Sequence, residues 1–253
     1  MRPFFLTKKC QRDKIKHIKQ FVGEGFSLPC ILFERKNMRK YDTVFFDLDG
    51  TIIDSGEGVS NSVIHALKKF GIEETRENAL RFIGPPLADS FKELYGFDSE
   101  KAEKGIEFYR EYYRDKGIFE CYLYEGIKEL LLKLKENGIS AVLCTSKPEE
   151  YAHRVLRFFE IYDLFDYACG ATMDEKTRGT KDEVMQYAFD TSGAKRETTL
   201  MVGDRKFDIN SANKFGIDSV GVTFGYGSRE ELSDSRATYI VDSAHEIENI
   251  LGI

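Results

Sequence analysis

Thr43-Val44-Phe45-Phe46 runs straight into Asp47-Leu48-Asp49-Gly50-Thr51, and this junction constrains the fold more than any other stretch of the chain. A short apolar run bounded by turn residues reads as a buried strand. Side chains alternate along a strand, so Asp47 and Asp49 face the same way while the backbone stays extended. Gly50 then permits a sharp turn and close backbone approach. Two acids at the carboxyl end of a parallel strand stand where open α/β sheets gather their chemistry. Taken alone, the segment also reads as a strand followed by a polar turn, because Asp and Gly are common turn residues.

The rest of the chain decides between these readings. Val59, Val63, Leu67 and Phe70 form one helical stripe, stopped by Gly71. Leu87, Phe91, Leu94 and Tyr95 form a second, closed by Gly96, and Ala102, Ile106, Tyr109 and Tyr113 a third, closed by Gly117. No strand pattern lies between residues 58 and 118. From residue 121 helices and strands alternate, with strands expected at Ile139–Cys144, Tyr167–Cys169, Thr199–Val202, Ser219–Val222 and Tyr239–Val241. Strands alternating with helices imply βαβ crossovers and a parallel sheet covered on both faces. The expected fold is α/β: a doubly wound parallel sheet of Rossmann type with an all-helical cap inserted after its first strand. The core takes residues 41–57 and 119–253, and the cap 58–118.

The formal charge of -6 hides an asymmetry. Residues 1–40 hold 11 Lys+Arg against 3 Asp+Glu, net +8; the remaining 26 against 40 give net -14. An acidic body argues against binding a nucleic-acid polymer through its phosphates. The apolar runs fall far short of the roughly 20 residues a membrane helix needs. Residues 1–40 read as a basic N-terminal extension, either disordered and loosely attached or not native. Met38, just before the first strand, would make a natural start, so residues 1–37 are the doubtful part of it. The five cysteines are odd in number, scattered and without a C-x-x-C pair, which suits reduced thiols in a cytoplasmic protein better than disulfides or a metal site.

Each strand end then adds chemistry. The second presents Thr145-Ser146-Lys147-Pro148, whose hydroxyls suit a helix cap or, with free N–H groups, a phosphate seat. Pro148 suits a first helical turn. A later strand presents Gly203-Asp204-Arg205-Lys206-Phe207-Asp208. Asp204 and Asp208 suit a hard divalent cation such as Mg²⁺, or a helix cap. Lys181 opens its helix, where its charge opposes the helix dipole; that favours a partner anion, although most lysines are simply exposed. Together these groups supply a carboxylate nucleophile, a second acid, a hydroxyl and amide cradle, a cation and metal-binding acids. That inventory fits phosphoryl transfer.

The ordered set resembles the haloacid dehalogenase superfamily, in its phosphatase branch with a helical cap. Asp47-Leu48-Asp49-Gly50-Thr51 resembles the first motif, Thr145-Ser146 the second, Lys181 the third and Gly203–Asp208 the fourth, over residues 41 to 253. Phe82–Leu87 and Gly225–Leu232 are similar to bacterial members labelled phosphoglycolate phosphatase or 5′-nucleotidase. The resemblance implies that Asp47 is the nucleophile and Asp49 the acid and base. It implies Mg²⁺ at Asp47, Asp204 and the Asp49 backbone carbonyl, with Asp208 in support. Gly50, Thr51, Thr145, Ser146, Lys181 and Gly84 are the expected substrate-binding residues, Gly84 through the Gly84-Pro85-Pro86 loop. The seven aromatics from Phe82 to Tyr113 that recur at helical spacing read as packing, and Arg81 as surface.

The expected activity is Mg²⁺-dependent hydrolysis of a small phosphorylated metabolite through an aspartyl-phosphate. Asp49 argues against dehalogenation, which in this family lacks the second acid. Two rivals stand: a phosphosugar mutase of the β-phosphoglucomutase type, and a non-catalytic binding protein on the same scaffold.

Overall fold

The computed structural model describes residues 40–174 and 177–253. The reading of the basic leader, with Cys10 and Cys30, lies outside the described residues. Residues 40–253 group into one unit.

The first strand, β1 (Thr43–Phe46), is buried along its whole length. Val44 and Phe46 point into one apolar layer and Phe45 into the other. A strand hydrophobic on both faces belongs inside a parallel sheet covered by helices. Beyond β1 the chain turns at Gly50 (φ 86°) into the short β2 (Ile53–Asp54). Helices follow: α1 (Gly56–Lys69), α2 (Arg76–Ala79), α3 (Leu87–Tyr95) and α4 (Ser99–Tyr113). The chain returns through β3 (Tyr122–Leu123), antiparallel to β2. From there the alternation runs α5 (Ile127–Glu136), β4 (Ser140–Pro148), α6 (Glu149–Phe158), β5 (Tyr167–Ala171), α7 (Lys181–Ser192) and β6 (Thr199–Gly203). It ends with α8 (Lys206–Phe215), β7 (Asp218–Val222), α9 (Arg229–Asp234), β8 (Tyr239–Val241) and α10 (Ala244–Leu251).

The six-stranded sheet has the order β5-β4-β1-β6-β7-β8, and every neighbouring pair is parallel. The expected α/β class and inserted helices are what the chain forms. β1 is central, so its carboxyl end lies between those of β4 and β6. The order reverses there, which is where doubly wound sheets open a crevice.

Three local expectations change. α4 ends at Tyr113, and Gly117 instead begins a separate 3-10 turn, Gly117–Phe119. Its role is close packing: a Cβ on Gly58 would lie 1.8 Å from the Gly117 carbonyl oxygen, so α1 and the returning chain cross through two glycines. The hydroxyls of Thr145 and Ser146 do not cap α6, whose N-cap is Pro148 without a side-chain bond. The strand runs on to Pro148, with a register shift between Thr145 and Pro148. β2 and β3 escape a periodicity reading because two residues carry no period. The aromatics of the inserted helices do pack together, Phe82 and Phe91 edge to face at 4.9 Å and Tyr109 and Tyr113 stacked at 5.1 Å.

Candidate active site

The turn after β1 is built by backbone bonds. Gly50 N–H donates to Ile53 O at 2.8 Å, and Ile52 and Ile53 N–H both donate to Leu48 O. The Asp47 N–H still donates to Val202 O at 2.9 Å, so Asp47 extends the ladder and its side chain enters the crevice at a fixed height.

Lys181 comes to meet it. Thr180 and Glu183 form a capping box that fixes the first turn of α7. The Lys181 side chain then lies buried rather than exposed. Its ammonium donates to Asp47 Oδ1 at 2.7 Å and Cys144 O at 2.7 Å, and pairs with Asp208 Oδ1 at 2.6 Å. An ammonium has three donors, and all three are engaged. Burial works to lower the Lys181 pKa, but the charges of Asp208 and Asp47 outweigh it and raise it. Burial pushes the Asp47 carboxyl up to about 6, with Lys181 opposing and Asp208 adding to the rise.

Asp204 is fully buried at the end of β6. Its Oδ2 accepts from Tyr226 N–H at 2.7 Å, while Oδ1 has no partner. Glycines let three backbone segments close on it. A Cβ on Gly50 would stand 2.1 Å from Asp204 Oδ2, one on Gly225 2.5 Å from Asp204 Cβ, and one on Gly227 1.9 Å from Asp204 O. Burial, with Asp208 and Asp47 nearby, raises the Asp204 pKa well above the usual carboxylate range. A buried carboxylate oxygen without a donor is costly. Asp47, Asp204 and Asp208 each offer an oxygen, all within 4.8 Å of one another. This hard, all-oxygen, anionic set fits Mg²⁺. Asp208 already accepts from Arg205 N–H at 3.1 Å through Oδ2 and holds Lys181 through Oδ1, so a supporting position suits it better than a direct bond.

The Asp49 side chain stands outside that acidic group. Both of its oxygens accept from Lys147 Nζ at 2.8 Å. Lys147 is buried, and its ammonium lies 5.1 Å from the centre of the Tyr113 ring on α4. Burial works to lower its pKa, but the Asp49 charge prevails and raises it.

Asp47, Asp49, Lys147, Lys181 and Asp208 line a cavity of about 360 Å³ between the sheet edge and the inserted helices, and Asp204 lies buried behind it. Thr145, Ser146 and Gly84-Pro85-Pro86 line it too. Gly84 has φ 107°, and a Cβ there would meet Arg205 Nη1 at 2.9 Å. Arg205 reaches across, donating to Ile83 O at 2.8 Å and to Glu231 Oε1 at 2.9 Å. Thr51 is buried beneath the turn, with its hydroxyl unpaired. Arg81 is exposed, as read.

Sequence reasoning passed over Lys147, Arg205 and Tyr226. Lys147 carried a usable signal: like Lys181, it places a cation just ahead of a helix, where the dipole disfavours it. Tyr226 carried none, because it acts on Asp204 through its backbone.

The sequence profile of the haloacid dehalogenase-like hydrolases matches residues 44–222. This chain belongs to that family. Among curated relatives, a 5′-nucleotidase of Pseudomonas aeruginosa is 38% identical over 201 residues, covering 79% of this chain and 90% of the relative. The tyrosine-protein kinase PtkA of Mycobacterium tuberculosis is 36% identical over 208 residues, covering 82% and 70%. The crystal structure of a predicted phosphatase from Clostridium acetobutylicum superposes with TM-score 0.80 at 42% identity, covering 84% of this chain and 99% of that one. Within the haloacid dehalogenase-like hydrolases, the chain is an enzyme of the phosphatase type. Among the described residues no helix is long and apolar enough to cross a membrane.

Proposed function

We propose that this protein is a Mg²⁺-dependent phosphatase for a small phosphate monoester, acting through an aspartyl-phosphate on Asp47. The observation that carries the reading is the meeting of Asp47, Lys181, Asp208 and the unpaired Asp204 oxygen at one crevice. Asp47 attacks phosphorus in line and the ester oxygen leaves, which divides one difficult step into two. Asp49, once it has left Lys147 and taken up a proton from water, gives that proton to the leaving oxygen, and it later takes one from the water that attacks phosphorus and frees Asp47. Thr145 and Ser146, which line the cavity, hold the phosphate oxygens in the manner of preorganised donors, Lys181 adds its positive charge from its place beside Asp47, and the Gly50–Thr51 turn fixes Asp47 and Asp49 around them. Mg²⁺, held by Asp47, Asp204 and the Asp49 backbone carbonyl with Asp208 in support, supplies positive charge against the repulsion of two anions. That repulsion is about 4 kcal/mol for unit charges about 4 Å apart at an effective dielectric near 20. The inserted helices exclude water, and Gly84-Pro85-Pro86 faces the leaving group.

The likeness to a 5′-nucleotidase supports a nucleoside monophosphate among the substrates, beside phosphoglycolate and sugar phosphates. The likeness to a protein named a tyrosine-protein kinase supports a second reading, transfer from Asp47 to an acceptor other than water. The three described cysteines, Cys121, Cys144 and Cys169, are free and buried, which agrees with a cytoplasmic enzyme.

The test is a phosphate-release screen over many phosphorylated metabolites with Mg²⁺ and with EDTA. Metal-dependent release of free phosphate is expected. Phosphorylated isomers or a phosphorylated protein without free phosphate would replace hydrolysis with transfer. Inactivity across the panel would leave a binding protein.

A further inference from the structure

Lys147 does something the phosphatase chemistry alone does not require. Both oxygens of Asp49 accept from the same ammonium at 2.8 Å. A carboxylate held by both oxygens cannot reach an ester oxygen until that ammonium lets go of at least one. Truncating the lysine would leave Asp49 freer for its work, so the pair works against the reaction unless something arriving with the substrate draws the cation away.

The cavity limits what that can be. Among the described cations lining it, Lys181 has all three donors on Asp47, Asp208 and Cys144 O. Arg205 is held by Glu231 and Ile83 O, and Arg110 reaches Met173 O. Lys147 has two contacts to one carboxylate and a ring face on its other side. The ring belongs to Tyr113 on α4, so the ammonium lies between the sheet edge and an inserted helix, where a leaving group must lie. Asp89, the one acid lining the cavity outside the Asp47, Asp49 and Asp208 group, is exposed to solvent and therefore screened. A buried cation beside a small cavity favours an anion that can replace its partner.

We propose that Lys147 is the seat for a second anionic group on the leaving part of the substrate, a carboxylate or a second phosphate. This rests on the phosphatase reading and narrows it to short doubly anionic phosphoesters and phosphoanhydrides. The second anion takes Lys147, Asp49 is released toward the bridging oxygen, and substrates with neutral leaving groups leave the pair closed. Two successive hydrogen bonds of about 2.8 Å set the reach, so the second anion lies within about 5 to 6 Å of the Asp49 oxygen it frees. That corresponds to a spacer of a very few atoms. A neutral nucleoside would leave the pair closed, which disfavours the nucleoside monophosphate that the likeness to a 5′-nucleotidase supports.

The test compares matched pairs with Mg²⁺ at saturation: phosphoglycolate against 2-hydroxyethyl phosphate for a carboxylate, and pyrophosphate against methyl phosphate for a second phosphate. Phosphate release is followed for the unaltered protein, Lys147→Met and Lys147→Arg. In at least one pair kcat/KM should favour the anionic member by about tenfold or more, the usual scale of a charge-assisted contact. The pair that discriminates identifies the anion. Lys147→Met should erase that ratio and Lys147→Arg retain part of it. Ratios near one in both pairs, or an equal loss for both members in Lys147→Met, would overturn the proposal.

Calorimetry gives a readout that needs neither turnover nor a folded variant. Phosphonoacetate should bind the unaltered protein about tenfold more tightly than ethylphosphonate, or phosphonomethylphosphonate should do so against the same reference. Equal affinities overturn the anion seat. Absence of any hydrolysis would overturn the phosphatase reading instead, and the calorimetric comparison would still decide the role of Lys147.

Discussion

The Lys181 ammonium lies 2.7 Å from Asp47 Oδ1, although 134 positions of sequence separate the two residues. The capping box at Thr180 and the buried strand before Asp47 bring them together independently, and neither depends on the contact for its own geometry. The same ammonium is 2.6 Å from Asp208 Oδ1, so one lysine holds apart two acids that would otherwise repel.

Replacing that lysine should therefore cost stability as well as activity. Lys181→Met leaves Asp47 and Asp208 side by side in a buried place. Breaking such a group by removing one partner typically costs about 3 kcal/mol or more. Urea unfolding without Mg²⁺ should reveal a lower midpoint at pH 7 and a smaller deficit at pH 5, where the acids can take up protons. An unchanged midpoint at pH 7 would contradict the arrangement.

Asp47→Asn keeps the shape and the contact to Lys181 but removes the nucleophile. Turnover should fall by a factor on the order of 10⁴ while circular dichroism and melting stay near those of the original protein. A folded variant with ordinary turnover would remove Asp47 from its assigned role.

Asp204→Asn should separate metal binding from folding. Without a metal, the buried unpaired oxygen is a liability, so the amide should raise the melting temperature in EDTA. Added Mg²⁺ should then stabilise the original protein and not the variant, since only binding to the folded state shifts unfolding. Equal Mg²⁺-induced shifts would place the cation elsewhere.

The pH dependence of the metal-free protein follows from Asp47. Burial, opposed by Lys181 and reinforced by Asp208, holds its carboxyl at about 6, against about 3.9 when unfolded. Between those values the folded state binds a proton that the unfolded state does not, so this contribution to stability falls as pH rises. It is present in full below about 4 and gone above about 6. Melting in EDTA from pH 4 to 7 should show this slope in the original protein and not in Asp47→Asn. Parallel curves for the two would refute the shift.

Gly50→Ala tests the close packing. The position has φ 86°, and a Cβ would stand 2.1 Å from Asp204 Oδ2. Left-handed backbone costs about 1 to 2 kcal/mol for a residue with a side chain, and the overlap adds to it. Both lower stability and weaker Mg²⁺ binding by titration are expected; a variant equal to the original in both would show that the turn can relax.

The sheet, the inserted helices and the four strand-end motifs were legible because each rests on a local pattern. A buried run before Asp47, a stripe from Val59 to Phe70 and a strand before Asp204 are properties of neighbouring residues. What stayed hidden is relational. Lys147 looks like any lysine beside a proline until the fold sets its ammonium against both oxygens of Asp49, 98 positions away. Tyr226 holds Asp204 with a backbone N–H, which every residue but proline has. Arg205 joins Ile83 to Glu231 across three segments that share no local pattern.

The paired strands β2 and β3 have a consequence for how such a protein can change. The polypeptide enters the inserted helices after Asp54 on β2 and comes back at Tyr122 on β3, and those two residues are direct partners in a small ribbon of their own. An excursion whose ends already touch can be shortened, lengthened or exchanged for another without rethreading the scaffold beneath it. Helices could thus be exchanged at a single doorway while the acids and lysines at the sheet edge keep their places.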